Sequence, residues 1–152
     1  MFNNLSKRVA GIFLGLLLCA PAFAAQQEAP LPDTFATKKI VLQISDPEPF
    51  KQTMVLNVAS NLLTYYEGTE IDMEIVAFGP GLRLLQEGNV NRERIKTLMD
   101  MGVRFSGCEN TVANFKKVLG EAPKIQEGVT MVPAGAGRIL QLNDAGWQIL
   151  KP

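Results

Sequence analysis

Strand signals that alternate with helix signals predict an α/β fold with a mostly parallel sheet covered on both faces. Two observations carry this. Short, nearly unbroken apolar runs recur along the chain, as strands buried on both faces require. Between them lie amphipathic segments whose apolar residues fall three and four apart, spaced as in repeated βαβ units.

The elements follow in order. Lys39 to Ile44 is the first strand, built on Ile40-Val41-Leu42 and bounded by a turn at Ser45-Asp46-Pro47. Pro49 to Tyr66 reads as a helix with Val55, Val58, Ala59 and Leu62 on one face, and Gly68 is its stop. Ile71 to Phe78 is the second strand and ends at Gly79-Pro80-Gly81. Asn91 suits the cap of a helix with Ile95, Leu98 and Met99 inward, closed by Gly102. Val103 to Ser106 is the third strand, and a helix from about Thr111 to Leu119 carries Val112, Phe115 and Leu119 as its stripe. Val129 to Val132 is the fourth strand. Pro133-Ala134-Gly135-Ala136-Gly137 opens a helix with Ile139 and Leu140, and Trp147 to Leu150 is the fifth strand.

The amino-terminal residues stand apart. Lys7 and Arg8 precede the apolar run Val9 to Leu18, and Ala22-Phe23-Ala24 has the small-x-small pattern of an export-signal cleavage site. The run is short of the roughly 20 residues that a permanent span needs. We expect residues 1–24 to be a cleaved signal peptide and the product to be periplasmic, with no stable membrane span; an uncleaved anchor is the alternative. Cys19 raises lipoprotein processing, but Leu18 before it is large where that processing takes a small residue. Residues 25–38, rich in Ala, Gln and Pro, read as a flexible leader, and residues 39–152 as one domain.

Composition excludes several chemistries. With no histidine in the chain, Ser-His-Asp and Cys-His pairs and histidine-ligated zinc or haem are out of reach. Loss of Lys7 and Arg8 from a chain with 15 basic and 15 acidic residues leaves a net charge of −2, which gives no reason to expect a nucleic-acid or anionic-membrane surface. No metal site and no cofactor is expected.

After removal of the signal, Cys108 is the one remaining cysteine. It follows the third strand and precedes a helix, where open α/β sheets gather their sites. The free N–H groups of that helix, at Asn110 and Thr111, would stabilise a thiolate, and the charge of Glu109 opposes this. Position alone leaves two readings open: an activated thiolate, or a small buried apolar residue.

Other candidates have plainer explanations. Gly79, Gly81, Gly135 and Gly137, with Arg83 and Arg138 close behind, could cradle an anion on backbone N–H groups. No phosphate-loop or dinucleotide fingerprint is present, and ordinary strand-to-helix turns account for the glycines. Asp72 and Glu74 share one face of a strand, which we read as a solvated edge. Tyr65, Tyr66 and Trp147 read as core or subunit contacts.

From Lys39 to Pro152 the chain resembles the DsrE/DsrF-like family, above all its exported branch. The resemblance rests on Ile40-Val41-Leu42-Gln43-Ile44-Ser45-Asp46, on Val76-Ala77-Phe78-Gly79-Pro80-Gly81-Leu82, on Gly102-Val103-Arg104-Phe105 leading to Cys108, Asn110 and Thr111, and on Val132-Pro133-Ala134-Gly135. It implies a three-layer α/β/α fold with a five-stranded sheet and assembly into homo- or hetero-oligomers, often trimers or hexamers. In sulfur-relay members a cysteine after the third strand takes a sulfane sulfur as a persulfide and passes it on; Cys108 falls at that position. After it stand Glu109-Asn110-Thr111, where relay members continue with small apolar and then basic residues. The export signal also separates this chain from the cytoplasmic acceptors of those members. The resulting expectation is a sulfur carrier or sulfurtransferase with donor and acceptor proteins. The alternative is a non-catalytic oligomeric module that binds a small ligand or partner.

Overall fold

The computed structural model describes residues 28–66 and 70–152. The expected signal peptide, Cys19, the start of the leader and the helix stop at Gly68 lie outside the described residues. Residues 28–36 form neither helix nor strand.

The strands are β1 (Lys38–Ile44), β2 (Ile71–Ala77), β3 (Arg104–Cys108), β4 (Thr130–Val132) and β5 (Gln148–Leu150). The helices are α1 (Pro49–Tyr65), α2 (Arg92–Asp100), α3 (Glu109–Leu119) and α4 (Gly135–Asp144), and a 3₁₀ helix spans Gly79–Leu85. The strands form one sheet in the order β4-β3-β2-β1-β5, and every pairing is parallel. Elements depart from the sequence reading by a residue or two, except that the turn at Gly79-Pro80-Gly81 opens a full 3₁₀ helix.

This order dictates the layers. The chain steps from β1 to β2 to β3 to β4 in one direction, so right-handed crossovers put their helices on one face. The step from β4 back to β5 runs the other way and sends α4 to the opposite face. The packing agrees. Val55, Leu56 and Ala59 of α1 and Ile95 and Leu98 of α2 bury against Leu42, Met73, Ile75 and Phe105. Ile139 and Leu142 of α4, with Trp147, bury against Val41 and Val76, the alternate residues of the same strands. The fold is a three-layer α/β/α sandwich. Each fully buried aliphatic side chain in these layers stabilises it by about 1.5–3 kcal/mol.

Two local expectations change. Val112 and Phe115 of α3 pack on the core, but Leu119 is exposed. On α4, Ile139 is buried while Leu140 faces outward. α4 lies over the centre of the sheet, on β1, β2 and β3, and Leu140 falls on its solvent side.

Candidate functional site

The topology itself selects one crevice. β3 leads into α3 on one face, and its neighbour β4 leads into α4 on the other. Between two such strands the connecting loops part, and open α/β sheets bind ligands there. Cys108 and Val132 are register partners at this point.

Cys108 is the last residue of β3 and the N-cap residue of α3, in extended backbone conformation. The strand therefore runs two residues further than its apolar run suggested, and α3 begins at Glu109. The side chain is buried, at 6 % exposure. Its Sγ lies 4.0 Å from the carbonyl oxygen of Pro133, which also accepts the N–H of Asn110 at 3.3 Å. Glu109 in the first turn of α3 and Lys116 and Lys117 in its last complement the helix dipole.

The Asn110 N–H, expected to be free to face a thiolate, is thus taken up by the Pro133 carbonyl. The Thr111 hydroxyl accepts the N–H of Gly79 at 2.9 Å and ties the first turn of α3 to the loop after β2. Asn110 anchors the same turn to the loop after β4 through Pro133.

The glycines are explained by packing. Gly79 has a left-handed φ of 53°. A Cβ on Gly81 would fall 2.5 Å from the carbonyl oxygen of Ile44, and one on Gly135 would fall 2.7 Å from the Cβ of Phe78. Gly137, a residue of α4, has room. Gly79 and Gly135 flank Cys108 at the carboxyl edge of the sheet, but Arg138 does not join them.

Arg138 instead reaches under the sheet. Its Nε and Nη2 donate to the two carboxylate oxygens of Glu74 at 2.8 and 2.9 Å. Its Nη1 donates to the carbonyls of Ala29 and Pro30 and to the side-chain oxygen of Gln141. Both sides of the guanidinium are therefore engaged.

This corrects the reading of Asp72 and Glu74 as a solvated edge. β2 is the central strand, every one of its residues is buried, and Glu74 is fully so. Ser106 donates its hydroxyl to Glu74 at 2.6 Å. Arg104 pairs with Asp72, lies 3.7 Å from Glu74, and stacks 5.2 Å from the Trp147 ring centroid. Two carboxylates and two guanidiniums balance, which is the arrangement buried charge requires. The available signal was the presence of Arg104 and Arg138 beside otherwise apolar segments. What a single strand could not reveal is that it lies at the centre.

A cavity of about 230 Å³ adjoins the crevice, lined by Ala29, Val132, Pro133, Ala134, Arg138 and Gln141 among others. Among the described residues, no group of three metal-ligating side chains is placed to hold a metal ion, and no helix is long and apolar enough to cross a membrane.

A solved protein of unknown function from Methanobacterium thermoautotrophicum has the same fold. The two superpose with a TM-score of 0.68 at 25 % identity, over 76 % of this chain and 99 % of the other. No family model matches the chain. No curated protein matches it. The likeness adds to the fold and gives the crevice no chemistry.

Proposed function

We propose that this protein is a periplasmic sulfur carrier of the DsrE/DsrF-like kind, which holds sulfane sulfur as a persulfide on Cys108 and passes it to a partner thiol. The observation that carries the proposal is the placement of Cys108 at the carboxyl end of β3, at the start of α3, where the crossovers part. The sequence resemblance over Lys39 to Pro152 supports it, as does the export signal expected over residues 1–24. Apolar surface at Ile149 and Leu150 on β5, and at Val118 and Leu119 on α3, is what assembly into a homo-oligomer would cover.

The chemistry is thiol exchange. The Cys108 thiolate attacks the outer sulfur of thiosulfate; the S–S bond of thiosulfate breaks, sulfite leaves with the electron pair, and Cys108 keeps a persulfide anion. A polysulfide donor leaves one sulfur shorter in the same way. An acceptor thiolate then attacks the terminal sulfur and releases Cys108 as thiolate. No external oxidant is needed. Sulfur transfer from thiosulfate to a small acceptor thiol tests this: the proposal expects transfer by the native protein and none by Cys108→Ser, and full transfer by that variant refutes it.

The 6 % exposure of Cys108 favours one other reading. In it the protein is an oligomeric binding module without turnover, and Cys108 is a packing residue beside a ligand pocket of the strand-end loops. A folded protein whose Cys108 never reacts with alkylating reagents supports that reading.

A further inference from the structure

Residues 28–30 run alongside α4 and are held there by side chains. Arg138 Nη1 donates to the carbonyl oxygens of Ala29 at 2.9 Å and Pro30 at 3.1 Å, and Gln141 Nε2 donates to Ala29 at 3.1 Å. Arg138 is only 5 % exposed and is fixed from behind by Glu74. Because that carboxylate balances its charge, the remaining donors meet neutral carbonyls. Arg138 and Gln141 together make a rigid two-donor fork that fits an extended main chain.

The segment walls the cavity beside the crevice. Glu28 and Ala29 stand opposite Val132, Pro133 and Ala134. Val132 is the register partner of Cys108, and the Pro133 carbonyl is 4.0 Å from Sγ. Leu31 continues the segment along a second groove, beside Gly137, Leu140 and Asp144.

We infer that residues 28–31 form a displaceable strap that closes the crevice next to Cys108. The inference rests on reading Cys108 as the sulfur-carrying thiol. The strap is held by three hydrogen bonds to its carbonyls and by a Leu31 side chain that is 47 % exposed. It has no ladder to a strand. Such a segment opens locally while the sheet stays folded. When it lifts, the fork is free for an extended segment of an acceptor protein. The strap thus exchanges with the partner that needs the thiol.

The test is the alkylation rate of Cys108 by iodoacetamide, read on its own peptide by mass spectrometry, in the full chain. Gln141→Ala removes one donor from the fork, and Leu31→Asp places a carboxylate beside Asp144. Loss of one hydrogen bond shifts an opening equilibrium about fivefold, so Gln141→Ala is expected to label about fivefold faster than the native protein, and Leu31→Asp, through charge repulsion, is also expected to label faster. Equal rates in native protein and in whichever variants retain the native circular dichroism spectrum overturn the strap. Fast labelling of the native protein also overturns it and leaves the sulfur chemistry standing. Faster labelling in the variants with no sulfur uptake by any form keeps the strap and removes the sulfur reading.

Discussion

Arg138 and Glu74 form a two-bond ion pair in the core, with Nε and Nη2 of one on Oε1 and Oε2 of the other at 2.8 and 2.9 Å. The pair joins α4 to the central strand and fixes the side of the fold that faces the crevice. It also aligns the donors that grip Ala29 and Pro30.

Removing one partner leaves a buried charge unmatched. Arg138→Met is expected to destabilise the protein by about 3–5 kcal/mol. Adding Glu74→Met to that variant is expected to restore part of the loss, because no lone charge remains. Urea denaturation of both single variants and of the double variant measures the coupling. A double variant as unstable as the sum of the singles contradicts the pairing.

Gly81 and Gly137 are predicted to behave oppositely. The Cβ of Gly81→Ala would meet main-chain atoms of Ile44 and Ser45, which cannot move aside, so a loss of roughly 1–3 kcal/mol is expected. At Gly137, within α4, the nearest atoms are 3.6 Å away or more, and Gly137→Ala is expected to stabilise by up to about 1 kcal/mol. Thermal unfolding of the two variants checks the signs.

The two glycines mark what the sequence could and could not disclose. Alternating apolar runs from Ile40-Val41-Leu42 to Val132 were enough to give strand sequence and parallel pairing, because a strand buried on both faces leaves a local trace. Helix limits were legible where a glycine stops the chain, as at Gly102 with its left-handed φ of 92°. Asn91 does stand at the N-cap of α2, but its side chain makes no capping bond, and its own N–H goes to the Asn89 side-chain oxygen. Cys108 was legible as a strand-end residue. Its neighbours across the crevice, Val132 and Pro133, depend on strand order, and strand order is a long-range property. The partnership of Glu74 with Arg138, 64 residues later, was hidden for the same reason.

Thr111 ties the first turn of α3 to the loop after β2. Thr111→Val keeps the shape and removes the acceptor for the Gly79 N–H. The bond is partly buried, so leaving this donor without a partner is expected to cost about 1 kcal/mol. Thr111→Ser retains the hydroxyl and is expected to lose much less. Chemical denaturation separates the two, and equal losses would count against the hydrogen bond.

The central claim is that Cys108 carries sulfur, and intact mass spectrometry of the protein lacking residues 1–24 tests it most directly. The protein is exposed to polysulfide or thiosulfate and weighed before and after reductant, beside Cys108→Ser. The account predicts a gain of one sulfur that reductant removes and the variant never shows. No gain in the native protein, or an equal gain in Cys108→Ser, contradicts it.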